Sequence, residues 1–163
     1  MICAAIFFTS DTLMAKTQQV ILKSETNVSF SGETIAVKLL YDVKNGEKKT
    51  TGIGVRIHFN SKFIENVSLT DVYGEGMIGQ HYIPVPDDKN FDGDTNTDMY
   101  IVVAWASVTR DWPIFLDMPG ALATIQLKIK ENAPNAQTAI NVTSSSTAAH
   151  YKFESQSVQI LIQ

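Results

Sequence analysis

From residue 17 onward, apolar residues recur at every second position in short runs, each cut by Gly, Asn, Asp, Ser or Pro. A period of two lets one side of a strand bury while the other stays wet, and no segment holds the 3.6-residue period of a long helix. The chain therefore reads as all-β. In Val55-Arg56-Ile57-His58-Phe59-Asn60 the odd positions are apolar and the even ones polar, which predicts one dry and one wet face. Ala121, Ala123, Ile125, Leu127 and Ile129 alternate likewise with Leu122, Thr124, Gln126, Lys128 and Lys130. The pattern predicts strands over 19–23, 27–30, 34–43, 52–60, 64–72, 99–109, 121–130, 139–144 and 158–162. Residues 100–108 are apolar on both faces, as in a central strand. Asn45-Gly46 reads as a hairpin turn between the third and fourth strands, since both residues tolerate positive φ.

A chain of 163 residues, 44% of them hydrophobic, suits one domain with a sizeable core. The formal net charge is −4 with no Lys/Arg cluster, which argues against nucleic acid or an anionic membrane as partner. Cys3 is the only cysteine, so no disulfide framework or thiolate metal site can form. Residues 2–8 form an apolar run of export-signal length, followed by a small-residue cut after Ala15. On this reading residues 1–15 are a signal remnant, 18–163 are the domain, and the protein is secreted or at the cell surface. The alternative is that 1–15 begin the domain as an ordinary strand or helix. The run is too short to span a bilayer.

The sharpest chemical signal lies between the fifth and sixth strands. Asp88, Asn90, Asp92 and Gly93, followed by Asp94, Asn96 and Asp98, put oxygen side chains at alternate positions around a glycine, the pattern of a calcium loop. Ca²⁺ takes about six to eight oxygen ligands, and the glycine permits the sharp turn that aims three side chains inward. From Asp87 to Asp98 there are five Asp and one Lys, a local balance of −4. The twelfth position from Asp88 is Met99 where a bidentate Glu belongs, with Asp98 one residue early. The expectation is one Ca²⁺ held by Asp88, Asn90, Asp92 and either Asp94 or Asp98, with carbonyls and water completing the shell. The competing reading is a solvated acidic loop.

Catalysis has little support. His58, His81 and His150 show no metal-ligand spacing and read as ordinary surface or loop histidines. No G-x-S-x-G elbow and no Gly-rich phosphate loop occurs. For sugar stacking the candidate rings are Tyr73, Tyr82, Trp112 and Tyr151, whereas Trp105 falls in the apolar central strand. Trp112 is either an exposed stacking ring or a lid folded over the sandwich end.

The runs Gly32-Glu33-Thr34-Ile35-Ala36-Val37, Gly52-Ile53-Gly54-Val55-Arg56-Ile57-His58-Phe59-Asn60-Ser61-Lys62-Phe63-Ile64-Glu65-Asn66-Val67 and Leu122-Ala123-Thr124-Ile125-Gln126-Leu127-Lys128-Ile129-Lys130 resemble the strand sequence of cohesin domains. The resemblance spans most of residues 20–163 and extends to related cellulose-binding modules. It implies a nine-stranded jelly-roll β-sandwich and a non-enzymatic extracellular scaffold or binding module. The partner would be another extracellular protein or a polysaccharide. The stretch from about residue 73 to 98 is longer than in a plain cohesin, and no recognition residue is carried over. A further alternative is assembly by strand donation through residues 18–22. The short turn after residue 23 favours instead a strand that completes its own domain, hence a monomer.

Overall fold

The computed structural model describes residues 14–163, without the side chains of 80–82, so most of the segment read as an export signal lies outside the described residues. Eleven strands follow one another with no helix among the described residues: β1 (Thr17–Ser24), β2 (Val28–Ser29), β3 (Thr34–Lys44), β4 (Gly52–Phe59), β5 (Ile64–Thr70), β6 (Met77–Pro86), β7 (Met99–Ala106), β8 (Gly120–Ile129), β9 (Ala136–Ser146), β10 (Lys152–Gln156) and β11 (Val158–Ile162). They form a sandwich of a five-stranded sheet ordered β10-β1-β3-β8-β5 and a six-stranded sheet ordered β2-β11-β9-β4-β7-β6. No helix of the described residues is long and apolar enough to cross a membrane.

Alternation delivers the core as expected. Val55, Ile57 and Phe59 of β4 and Ile101, Val103 and Trp105 of β7 face Val37, Leu39 and Tyr41 of β3 and Ile125, Leu127 and Ile129 of β8 across the two sheets, all essentially fully buried. Each such side chain contributes about 1.5–3 kcal/mol of burial. On β8 the period breaks once: pairing jumps from Leu39↔Ala123 to Leu40↔Ala121, and the bulge turns both Leu122 and Ala123 inward.

Three expectations are corrected. The strands number eleven, not nine: β6 and β10 are the additions, and both lie at sheet edges, where patterning is weakest. β6 carries Pro84 and Pro86, which an edge tolerates, and β10 (Lys-Phe-Glu-Ser-Gln) has no buried position. Asn45-Gly46 makes no hairpin, because β3 and β4 belong to different sheets; Asn45 does take φ 53°, but the segment is a crossover. At Gly46 a Cβ would come within 2.7 Å of the Tyr151 ring, which would have to shift to admit it. β1, by contrast, pairs with β10 in parallel and with β3 antiparallel inside its own sheet, as expected of a strand that completes its own domain. Finally, the wet face of β4 is not wet at His58, which is 0% exposed.

One end of the sandwich is closed by Trp112. Its backbone exchanges hydrogen bonds with Thr50 (2.6 and 3.2 Å), and its indole N–H donates to the Glu75 carbonyl (3.0 Å). The ring stacks on Trp105 at 6.2 Å and meets Tyr41 at 4.9 Å. Beside it the buried Gln18 is fully satisfied. Its amide N–H₂ faces the Tyr41 hydroxyl (2.8 Å), the Gly52 carbonyl (2.9 Å) and Thr50 Oγ1 (3.3 Å), and its carbonyl accepts from Ala148 N–H (2.7 Å).

Candidate functional site

The connection from β6 to β7, residues 87–98, folds back over the outer face of the six-stranded sheet. Its base is closed by Asp87 N–H donating to the Asp98 carbonyl (2.9 Å), and Asp98 N–H donates to Phe59 (3.2 Å) at the end of β4. Turns at 87–90, 90–93 and 94–97 follow, with Asn90 (φ 48°) and Gly93 (φ 75°) taking the left-handed conformations their residue types allow. Asp92 and Asp94 spend oxygens on local turns: Asp92 Oδ1 accepts from Asp94 N–H (3.1 Å) and Asp94 Oδ1 from Asn96 N–H (2.9 Å).

Among the described residues, the acidic cluster that brings three candidate ligand atoms within 4.8 Å takes only Asp92 from the calcium pattern, joined to His58 and Asp87. Asp88 and Asn90 stay on the exposed rim. Asp98 turns away, its two oxygens accepting from Ser61 N–H and Oγ–H, each at 2.6 Å. Asn96 donates its side-chain amide to Asp94 (2.9 Å). These donors, the Asn96 backbone first, hold the Asp94 carboxyl below the usual carboxylate range. Asp92 alone turns fully in; its Oδ2 accepts from Thr97 Oγ–H (2.6 Å) and Asn141 Nδ2–H (2.9 Å), and Asn141 also reaches Asp94 Oδ2 at 3.4 Å.

Asp92 meets two residues outside the pattern. His58 Nδ1 lies 2.9 Å from Asp87 Oδ2 and 3.9 Å from Asp92 Oδ2, and its Nε2 is 2.8 Å from Thr143 Oγ1 on β9. The Asp87 approach is short but lacks hydrogen-bond alignment, so Nδ1 is left without an aligned partner. Burial lowers the His58 pKa, against the opposing pull of Asp92 and Asp87. No sequence signal marked His58, since a polar residue on the wet side of an alternating strand is unremarkable until a loop covers it. Asp87 was visible only as one of the local charges.

The loop also brings an aromatic to the sheet. Phe91 sits 4.0 Å from the Arg56 guanidinium and meets Tyr100 edge-on at 5.9 Å. Val85 of β6 opposes Tyr100 in register and shares its face. Ile78, Ile83, Val85 and Phe91 are exposed apolar residues along β6 and the loop it leads into.

The sugar-stacking candidates fare differently. Trp112 is 1% exposed, so neither ring face is open to a pyranose, and the lid is its role. Tyr73 is partly buried beside it and hydrogen-bonds Ile114 in both directions. Tyr151 donates to the Glu47 carbonyl (3.0 Å), and the Tyr82 side chain lies outside the described residues.

No protein-family model matches the chain, and no curated protein matches it. Solved structures do. A cohesin from Clostridium thermocellum, solved as a type I cohesin–dockerin complex, superposes with a TM-score of 0.60 at 15% identity, over 90% of this chain and 99% of that one. The seventh type I cohesin of a Pseudobacteroides cellulosolvens scaffold protein gives 0.56 at 8% identity, over 90% and 92%. A third cohesin, from Acetivibrio cellulolyticus in complex with a dockerin, gives 0.54 at 15%, over 90% and 99%. At these identities the likeness is one of fold: the chain folds as a cohesin-type jelly-roll β-sandwich.

Proposed function

We propose that the chain is a non-catalytic, extracellular protein-binding module that takes a small dockerin-type partner. The observation that carries this reading is the sandwich it shares, over nine-tenths of its length, with cohesins solved in dockerin complexes. The apolar run at residues 2–8 and the small residue Ala15 support export. Composition favours the six-stranded sheet as the contact face. Arg56, Tyr100, Phe91 and Val85 cluster there, and protein interfaces are enriched in Arg and aromatics and depleted in Lys. The outer face of the five-stranded sheet offers Lys38, Thr124, Gln126 and Lys128 instead, a solvated set.

Biolayer interferometry of the full chain against a panel of dockerin modules tests the proposal. Saturable binding that Arg56→Ala with Tyr100→Ala weakens about tenfold or more supports it. A folded chain that binds none of them contradicts it.

A further inference from the structure

Beneath the loop, three electron-rich atoms converge without a positive charge between them. His58 Nδ1 and one oxygen each from Asp87 and Asp92 lie within 4.8 Å of one another. The His58 side chain is 0% exposed, and its Nδ1 has no hydrogen-bond partner. In the tautomer whose Nε2–H donates to Thr143 Oγ1 across the 2.8 Å contact, Nδ1 directs a lone pair at two carboxylates. Away from water such an arrangement repels itself until a proton or a metal cation stands between its atoms, and a proton on Nδ1 finds no aligned acceptor here.

We propose that His58 Nδ1, Asp87 Oδ2 and Asp92 Oδ2 hold a divalent cation of the zinc class. Ligands about 2.0–2.2 Å from a tetrahedral ion stand roughly 3.3 Å apart, and the separations of 2.9 and 3.9 Å from Nδ1 bracket that spacing. An imidazole nitrogen with two carboxylates suits a borderline ion, whereas Ca²⁺ selects oxygen alone. Each ligand is also oriented by an outer partner, as metal ligands characteristically are. Thr143 fixes His58, Thr97 and Asn141 fix Asp92, and the Phe91 N–H points at both oxygens of Asp87 at 3.2 Å. Two ligands come from the 87–98 segment and one from β4, so the ion fastens the loop to the sheet. This site stands whether or not the partner is a dockerin.

The test uses the full chain, stripped with chelator and dialysed, and titrated calorimetrically with Zn²⁺ and with Ca²⁺. One Zn²⁺ per chain is expected, with affinity lowered about a hundredfold by Asp87→Asn, lowered roughly 10–100-fold by Thr143→Val, and unchanged by Asp88→Ala. Co²⁺ titrated into the unaltered chain gives a second readout that needs no variant, a visible ligand-field absorption of the low-coordinate type. Three results would overturn the proposal: a folded chain that binds neither Zn²⁺ nor Co²⁺, Zn²⁺ affinity untouched by Asp87→Asn, or Ca²⁺ binding that Asp88→Ala abolishes while Asp87→Asn leaves it intact.

Discussion

Phe91 lies 4.0 Å from the guanidinium of Arg56, so an aromatic from an acidic loop is clasped by a cation from the sheet beneath it. This contact and the Asp98–Ser61 pair anchor the loop from outside, while the Asn141 amide holds Asp92 against the sheet within.

An exposed cation–π contact contributes about 0.5–1 kcal/mol. Phe91→Ala should therefore lower the melting temperature only slightly but speed amide hydrogen exchange across residues 88–96. Exchange in β4 and β7 should stay as it is, because their ladders do not depend on the ring.

Trp112→Ala should cost about 3–5 kcal/mol, because it removes a fully buried ring from between Trp105 and Tyr41. Chemical denaturation measures this as a fall in midpoint. Retention on insoluble polysaccharide should be the same before and after the substitution; its loss at unchanged stability would instead make Trp112 a sugar contact.

Gln18→Leu should destabilise by at least about 1–3 kcal/mol, since it strands the Ala148 N–H and the Gly52 carbonyl in a buried setting. Thr50→Val removes one neighbour of the same amide and should cost less. Equilibrium unfolding of both variants gives the ranking.

The Asp111 carboxyl is held below the usual carboxylate range by the hydroxyls of Ser107 first and Thr109 second. A lowered folded-state pKa means a contribution that is present at neutral pH and lost as pH falls through the lowered value. Carboxyl titration by NMR should show Asp111 among the last to protonate, and Ser107→Ala should move it back up.

The sandwich was legible because alternation in β3, β4 and β8 is a direct imprint of one buried face, because β7 is apolar on both, and because all four strands occupy sheet interiors. β6 and β10 escaped notice for the complementary reason: an edge strand buries little, so its sequence carries prolines and polar residues without penalty. The acidic loop was half legible. The D-x-N-x-D-G spacing marked a loop rich in carboxylates, but spacing along a chain does not tell which oxygens local turns consume. Asp98 gives both oxygens to Ser61 and Asp94 gives one to Asn96, whereas Asp92 turns Oδ2 toward His58. His58 reaches the loop only through the fold, 29 residues before Asp87 in sequence and 2.9 Å from it in space. Trp112 likewise looked like a loop residue until the β3–β4 crossover bridged to it at Thr50.

Amide chemical-shift mapping with a bound dockerin shows whether this sandwich presents its loop-bearing face to a protein partner. Shifts should concentrate in β4, β7, the exposed part of β6 and residues 87–98, with the outer face of β3 and β8 unmoved. Shifts concentrated at Lys38, Thr124, Gln126 and Lys128 on the five-stranded sheet would contradict it.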